Sequence, residues 1–262
     1  MKKNNPLISI IMNCYNGEKY LMKSVQSVLN QTYGNWELIF WDNHSSDKSA
    51  KIIKNLKDTR IKYFKSKKFT NLYEARNLAV SKCKGEFICF LDTDDWWIKE
   101  KLKTQINYIQ KNKIKKVGFV FSNLYVYDNL RKSSKKYFNY FIPNGKITQQ
   151  LLNDYKLGIL TVMMKKQFFK DKRFNKNFNI IGDFDFFINL SIKENFFCIQ
   201  KPLAYYRVHK KNYSKKLTEY IQELKKWLDN NSKKLITKKF SLKKIYTYYY
   251  KLKLKDFLHL GS

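Results

Sequence analysis

The sequence lacks a long apolar run, and its longest uninterrupted apolar stretches, such as 158–164, hold only a few residues. A helix that spans a membrane needs roughly 20 consecutive apolar residues, so no transmembrane helix is predicted. The apolar segment 7–12 is also too short for the core of a signal peptide. We therefore expect a cytoplasmic protein.

Paired cysteines and acidic residues are also scarce. The four cysteines, at positions 14, 83, 89 and 198, form no C-x-x-C pair and have no nearby histidine, which argues against a zinc knuckle or a redox motif. Only 21 acidic residues oppose 53 lysines and arginines, and the net charge is +32. So large a charge attracts polyanions, including nucleic acids, anionic lipid headgroups and sugar nucleotides. Charge alone does not choose among them.

No repeat and no glycine- or serine-rich linker divides the 262 residues, and 44% of them are hydrophobic. This content is enough for a substantial core. Strand-like and helix-like patterns alternate along the first half of the chain, which predicts an α/β fold with a mainly parallel sheet flanked by helices. The predicted strands are 7–12, 36–41, 61–64, 86–91 and 116–122, and the predicted helices are 20–30, one running toward Leu56, 72–83 and 98–111.

The alternation is looser after residue 123. The patterns there predict helices at 147–155 and 183–192 and strands at 160–164 and 203–208. From residue 210 to the last residue there are 15 lysines and four acidic residues, and apolar residues recur at helical spacing between Leu217 and Leu228. We therefore expect a basic helical extension at 215–262.

Three carboxylates occupy four positions in the segment Asp92-Thr93-Asp94-Asp95. They follow the predicted strand 86–91, and the carboxyl ends of strands form the edge where open α/β sheets bind ligands. Mg²⁺ and Mn²⁺ take one or two carboxylates and fill their other positions with water and phosphate oxygens. This D-x-D segment predicts a metal site for a phosphorylated substrate. An acidic turn that caps the following helix is the structural alternative.

Other polar segments stand at the ends of predicted strands or at the starts of predicted helices. They are Asn13-Cys14-Tyr15-Asn16-Gly17, Asp42-Asn43, Glu74-Ala75-Arg76-Asn77, Gly182-Asp183-Phe184-Asp185 and Tyr206-Arg207-Val208-His209. Together with the D-x-D segment they resemble, in order and spacing, the family 2 inverting glycosyltransferases of the GT-A fold. The resemblance is strong from residue 8 to 102, looser as far as 214, and absent from 215–262.

The resemblance implies a nucleoside diphosphate sugar as the donor, with uracil as the base. Asn13, Tyr15 and Asp42 would contact the base, Arg76 the pyrophosphate and Asp92 the ribose. Each of these roles has an ordinary structural alternative. Tyr15 would simply pack, Asp42 would cap a helix, and Arg76 would be a solvated surface residue.

The resemblance also implies a metal ion and a catalytic base. Asp94 would hold Mn²⁺ or Mg²⁺ on the diphosphate, His209 would be a further ligand, and Asp95 would support the loop. Asp183 would be the base, with a helix cap as its structural alternative. Gly182 stands where the family usually has a glutamate, so the acceptor preference is open at this position.

The implied activity is metal-dependent, inverting transfer of a sugar to a hydroxyl of a glycan or lipid-linked saccharide. Such enzymes make bacterial surface polysaccharide, lipooligosaccharide or capsule. Residues 1–214 would form the GT-A domain, with a nucleotide-sugar-binding half at 1–122 and an acceptor-binding half at 123–214. The basic extension would lie on the anionic inner face of the cytoplasmic membrane, or else pack on the domain or form a dimer.

Two other functions fit parts of the sequence. A nucleic-acid-binding protein would use the positive charge and the aromatic residues. However, the lysines are spread along the chain, no recognition motif is present, and the acidic segment would repel phosphate. An inactive partner domain would be expected to lose its polar site residues, and here only Gly182 departs from the pattern. The sequence therefore favours an enzyme that does not bind nucleic acid.

Overall fold

The structure is a computed structural model that describes residues 5–112, 117–209, 212 and 216–260. Strands and helices alternate through most of this range. The strands are β1 (Ile8–Cys14), β2 (Trp36–Asp42), β3 (Ile61–Lys65), β4 (Phe87–Phe90), β5 (Trp96–Trp97), β6 (Phe119–Asp128), β7 (Ser133–Lys136), β8 (Met163–Lys165) and β9 (Phe197–Val208). The helices are α1 (Glu18–Leu29), α2 (Ser49–Lys54), α3 (Leu72–Val80), α4 (Lys101–Lys111), α5 (Thr148–Asn153), α6 (Gly182–Ser191), α7 (Leu217–Thr237) and α8 (Lys243–Leu260).

One mixed sheet organises the molecule, with the strand order β3-β2-β1-β4-β8-β6-β9-β5 and with β7 paired to β6. The first four strands in this order are parallel to one another. All residues of β1, β2 and β4 are buried, because helices cover both faces of a parallel sheet. Continuous burial explains their nearly uniform apolar sequences. The predicted fold class, a mainly parallel α/β sheet flanked by helices, is confirmed.

The structure corrects several predicted boundaries. The helix predicted from 98 begins at Lys101, because Trp96 and Trp97 form β5 and pair antiparallel with β9. The strand predicted at 203–208 begins at Phe197, because β9 runs beside β6 along most of its length. The segment 160–164 is only partly strand, since 159–161 is a 3₁₀ turn that precedes β8. Strand β7 was not predicted, because its residues are polar and exposed.

The two C-terminal helices pack against the domain, as one of the alternatives for the extension anticipated. On α7, five apolar side chains are buried in the same core as those of α6: Ile221, Leu224, Trp227, Leu228 and Leu235. On α8, Ile245 and Tyr249 join that core. The domain division at residue 214 stays a prediction, and α7 contributes to the core beyond it. Among the described residues, no helix combines the length and apolar character needed to cross a bilayer.

Lys101 is a fully buried lysine at the start of α4. Its Nζ donates a hydrogen bond to Gln105 Oε1 at 2.7 Å and lies 4.1 Å from the ring centre of Trp97. Burial lowers the pKa of Lys101 to about 8, because a charged amine loses its hydration in the protein interior. The native state therefore releases this proton at a pH where the unfolded chain still holds it.

Stability should consequently rise with pH above about 8 because of Lys101, as linkage requires when the unfolded state binds more protons. We expect Lys101→Met to be more stable than the parent protein at pH 7 by about 1–2 kcal/mol, after allowing for the lost hydrogen bond to Gln105. The difference should shrink by about 1 kcal/mol at pH 9. Urea unfolding at both pH values measures it, with the exposed Lys103→Met as the control. A difference that does not change with pH would contradict the prediction.

Candidate active site

The D-x-D segment lies between β4 and β5 at the carboxyl edge of the parallel strands, and its three carboxylates have different partners. Asp92 accepts hydrogen bonds from Arg76 at 2.8 and 3.0 Å. Asp94 Oδ2 lies 2.9 Å from His209 Nε2. Asp95 is buried and accepts a hydrogen bond from the Arg207 backbone N–H at 2.8 Å. Three carboxylates that are close together in the sequence therefore lie in three distinct environments.

The end of β9 holds this segment in position. Arg207 Nε donates to the Asp94 carbonyl at 2.8 Å, and its guanidinium lies 4.4 Å from the ring centre of Tyr20 and 4.6 Å from that of Trp96. From the other side, Ser24 Oγ lies 2.7 Å from the Thr93 carbonyl. The backbone around Asp94 is thus fixed by α1 and β9.

The residues that could hold a metal ion are Asp94 and His209. Their side chains converge on one point, and a carboxylate oxygen with an imidazole nitrogen suits Mn²⁺ or Mg²⁺. Burial and the charge of Asp92 raise the pKa of Asp94, so a cation beside it would relieve both effects. Within the described residues, no group of three or more histidine, cysteine or acidic side chains forms a metal cluster. This limited donor set fits a cation that takes its other ligands from substrate phosphates and water.

The predicted pyrophosphate residue, Arg76, is buried on α3 rather than solvated. Its charge is balanced by the ion pair with Asp92. Burial alone would lower the pKa of Arg76, but the negative charge of Asp92 and the other acidic groups nearby together outweigh this effect, and the pKa is raised. The surface alternative for Arg76 is therefore excluded. The pair directs a permanent planar cation to the D-x-D segment, and guanidinium groups recognise phosphate oxygens well.

The predicted base-contacting residues lie at the ends of β1 and β2. Asn13 is buried, and its Nδ2 has no hydrogen-bond partner among the described residues, which is costly unless a ligand accepts from it. Tyr15 is 55% exposed, so it does not pack in the core. Its ring lies 4.6 Å from that of Phe69, which is 54% exposed. The two accessible rings together offer an aromatic surface on which a flat ligand could stack.

Sequence reasoning missed Phe69, although a phenylalanine within the polar stretch Lys67-Lys68-Phe69-Thr70 is a detectable signal. The structure ties this stretch to the end of β2, because Asn43 Nδ2 donates to the Thr70 carbonyl at 2.6 Å. The contact brings Phe69 beside Tyr15 from a loop more than 50 positions further along the chain.

Asp42 is fully buried at the end of β2. One carboxylate oxygen accepts from Tyr63 Oη at 2.6 Å, and the other accepts from the Ser45 backbone N–H at 2.8 Å. The helix-cap alternative is wrong, because α2 begins at Ser49 and its N-cap is Lys48. Direct contact between Asp42 and a base would require the residues that cover it to move.

Asp183 lies in the first turn of α6 and is partly exposed. Its Oδ1 is 3.1 Å from Tyr73 Oη and 2.9 Å from the Phe184 backbone N. Its Oδ2 has no hydrogen-bond partner in the described part of the chain. Burial raises the pKa of Asp183, and the positive charge of Arg76 opposes that rise. The N-cap of α6 is Ile181, with no side-chain cap bond, so capping does not account for Asp183.

Helix α7 supports the loop that leads to Asp183, which the sequence did not predict. The carboxylate of Glu223 is buried and accepts hydrogen bonds from three consecutive backbone N–H groups, those of residues 179–181, at 2.5, 2.9 and 3.0 Å. One turn further along, Trp227 Nε1 donates to Asp185 Oδ1 at 2.9 Å. Asp185 therefore points toward α7, whereas Asp183 points toward α3.

Comparisons with known proteins show the family and the fold of this chain. The model of the family described as "Glycosyl transferase family 2" matches residues 9–187. The Escherichia coli enzyme named UDP-Glc:alpha-D-GlcNAc-diphosphoundecaprenol beta-1,3-glucosyltransferase WfgD is 38% identical to this chain over 161 residues. That match covers 61% of this chain and 60% of the E. coli protein.

Two solved structures share the fold. The S. aureus TarS fragment 1–349 in complex with UDP-GlcNAc has a TM-score of 0.71 and 19% identity, and it covers 83% of this chain and 64% of its own. The Pyrobaculum calidifontis mannosyltransferase PcManGT in complex with GDP-Man and Mn²⁺ has a TM-score of 0.62 and 14% identity, covering 87% and 65%. The chain thus spans less than two thirds of the length of each of these relatives.

Proposed function

Because this chain belongs to glycosyl transferase family 2, we propose that it transfers a sugar from a UDP-sugar to a hydroxyl of a lipid-linked saccharide, with inversion at the anomeric carbon. Asp94 and His209 would hold a divalent cation on the diphosphate. The donor proposal is supported by the E. coli relative, whose name specifies UDP-Glc, and by the UDP-GlcNAc complex of TarS. The acceptor proposal is supported by the diphosphoundecaprenol substrate in the same E. coli name.

The observation that carries the proposal is the arrangement of charge around Arg76. This guanidinium is paired with Asp92 on the D-x-D side, and it is close enough to Asp183 for its charge to oppose the rise in that residue's pKa. A donor diphosphate beside Asp94 and Arg76 would thus lie near a carboxylate that has a free oxygen. This is the arrangement that a single displacement requires.

In the proposed reaction, Asp183 Oδ2 accepts the proton of the acceptor hydroxyl while that oxygen attacks the anomeric carbon. The bond from this carbon to the diphosphate oxygen breaks, and UDP leaves on the opposite side. Arg76 stabilises the negative charge that develops on the diphosphate. The divalent cation, when bound, supplies further stabilisation of that charge. One carboxylate on the acceptor side is enough for inversion.

The exposed ring pair of Tyr15 and Phe69 would form one wall of the base site. Aromatic faces stack on any nucleobase, so this wall binds the base without selecting it. The Nδ2 of Asn13, which has no partner in the described part of the chain, would donate to a carbonyl oxygen of the base, and uracil has two such oxygens. Asn13 would therefore contribute to a preference for uracil. Asp42 would contribute only if Tyr63 and Ser45, which occupy its carboxylate oxygens, move aside.

The direct test measures UDP release from a panel of UDP-sugars, with and without Mn²⁺, in the presence of lipid-linked saccharide acceptors. We expect release that depends on both the acceptor and the cation. Tight binding of a single-stranded oligonucleotide with no UDP release from any donor would support the nucleic-acid alternative instead. If the protein neither releases UDP nor binds the oligonucleotide, the result would support the inactive partner domain.

We also propose that α8 attaches the enzyme to the anionic inner face of the cytoplasmic membrane. Four exposed apolar side chains recur at helical spacing on α8, namely Tyr250, Leu254, Phe257 and Leu258. Five lysines accompany them between residues 243 and 258, opposed by one aspartate. A helix face that combines apolar and basic side chains suits a bilayer with anionic lipids.

Removing the apolar tip of α8 should release the protein from such bilayers. We expect the double variant Phe257→Ser with Leu258→Ser to bind phosphatidylglycerol vesicles at least about tenfold more weakly, since each side chain contributes roughly 1.5–3 kcal/mol when buried. Vesicle sedimentation measures the loss. Leu130→Ser with Phe141→Ser removes two equally exposed apolar side chains elsewhere and should bind like the parent. Equal sedimentation of both double variants would reject the membrane role.

A further inference from the structure

The ring of Tyr73 occupies the space that a side chain at position 182 would fill. A Cβ atom added to Gly182 would lie 2.5 Å from Cδ2, 2.6 Å from Cε2 and 2.7 Å from Cγ of that ring. Non-bonded carbon atoms essentially never approach one another this closely, and an aromatic ring does not bend. A larger residue at 182 would therefore have to displace Tyr73. The family glutamate is absent here, and a tyrosine from α3 takes its place in space.

The hydroxyl of Tyr73 lies beside the proposed catalytic base. It is 2.7 Å from the Ile180 carbonyl oxygen and 3.1 Å from Asp183 Oδ1, so its single proton is shared between these two acceptors. Burial and the charge of Asp183 raise the pKa of Tyr73 well above its usual range. The phenol therefore stays protonated and acts as a donor.

Helix α3 connects this contact to the D-x-D segment. Tyr73 and Arg76 are three residues apart, so they lie on the same face of the helix. The Arg76 guanidinium carbon is 5.3 Å from the centre of the Tyr73 ring. One rigid element thus fixes both the cation that contacts Asp92 and the hydroxyl that contacts Asp183.

We propose that Tyr73 is a positioning residue for Asp183, and that Gly182 is required because it admits the tyrosine ring. Tyr73 holds Oδ1 together with the Phe184 N–H, and Oδ2 is left to take the acceptor proton. The inference rests on the proposed function, in which Asp183 is the general base. In this chain the base is oriented by a neutral phenol from α3, with no second carboxylate at position 182.

The test is Tyr73→Phe, which removes the hydroxyl and keeps the ring against Gly182. We expect kcat for transfer to fall roughly ten- to hundredfold, because a misplaced base loses its alignment with the acceptor. UDP affinity should stay within about twofold of the parent value, since Arg76 and the D-x-D segment are untouched. Tyr140→Phe is the matched control, because the Tyr140 hydroxyl donates a comparable hydrogen bond, 2.6 Å long, to a different carboxylate, that of Asp154.

The pH profile separates positioning from general damage. A hydrogen bond to a carboxylate stabilises its charged form, so the loss of the Tyr73 hydroxyl should raise the pKa of Asp183. The acid limb of kcat/KM should therefore move to higher pH. The other charged or titratable groups that interact with Asp183 all remain in the variant: Arg76, Asp92, Tyr137, Tyr155 and Tyr220. An unchanged kcat and an unchanged acid limb would overturn the proposal.

The requirement for glycine at position 182 beside the Tyr73 ring is tested by a double-mutant cycle in which the melting temperature is measured. Gly182→Ala should lower the melting temperature by about 4 °C or more in the parent protein, and by much less in the Tyr73→Ala background, where the ring is gone. Equal effects in the two backgrounds would show that Tyr73 does not require Gly182. If the parent protein releases no UDP with any donor and acceptor, the proposed function fails. If the parent transfers sugar and Tyr73→Phe behaves like it, only this inference fails.

Discussion

Replacing Asp183 with asparagine is expected to lower the rate of sugar transfer by roughly 10²–10⁴-fold, the range over which positioned general bases act. The amide cannot accept the acceptor proton at neutral pH. Its oxygen can still accept the hydrogen bonds that Oδ1 receives from Tyr73 and the Phe184 N–H, so the local structure should persist. UDP binding, measured by calorimetry with Mn²⁺ present, should stay close to that of the parent.

Asp185→Asn provides the control for Asp183→Asn. Both carboxylates lie in the first turn of α6, but Asp185 accepts from Trp227 and Asn189 and takes no part in the proposed chemistry. We expect its turnover to remain within a few-fold of the parent value. If Asp183→Asn retained a comparable turnover, the general base would have to be sought elsewhere.

The second large effect is expected at Asp94. Asp94→Asn should lower turnover by at least about a hundredfold, since the cation it holds stabilises the charge on the departing diphosphate. A second readout does not depend on activity. Mn²⁺ with UDP should raise the melting temperature of the parent protein, because a ligand that binds only the native state stabilises it, and this increase should be largely lost in the variant.

Two comparisons sharpen the Asp94 experiment. Chelation of divalent cations should make the parent protein behave like Asp94→Asn in both measurements. Asp58→Asn removes another carboxylate, which forms a 2.6 Å ion pair with Arg60 before β3, at the opposite ends of the strands from the site. This variant should leave the response to Mn²⁺ unchanged. A full response to Mn²⁺ in Asp94→Asn would contradict the assignment of Asp94 as a metal ligand.

The parallel half of the fold was predictable because burial on both sheet faces leaves a strong local signal. Strands β1, β2 and β4 are short, mainly apolar runs, and polar residues stand at the end of each strand or just beyond it. The later strands carry weaker signals. Strand β9 contains Gln200, Lys201 and Pro202, which interrupt its apolar pattern, and its partner β6 shows register shifts at the same place. Pairing across the sheet decides the length of these strands.

Residues of the candidate site could be selected from the sequence where they stand in recognisable order along the chain, as Asp92, Asp94 and Asp183 do, and their roles stay predictions. The contacts that orient them were not predictable. The approach of His209 to Asp94 was expected from the family resemblance, but two other contacts were not: Tyr73 meets Asp183 across 110 positions, and Glu223 meets the Ile180 backbone across 43. A residue's local sequence carries no sign of such a partner. The sequence shows that Gly182 departs from the family's usual glutamate, but only the structure shows that the Tyr73 ring fills the space of a side chain there.

The three hydrogen bonds that Glu223 accepts from residues 179–181 limit where this chain can be joined to a relative in a chimeric protein. The family model matches residues 9–187, yet the segment before Asp183 is held by a helix that starts at Leu217. A chimera that joins the family segment of this chain to a foreign C-terminus would leave three consecutive backbone N–H groups without their acceptor. A chimera that is to keep the candidate active site therefore has to include α7 of this chain as well as the segment that the family model matches.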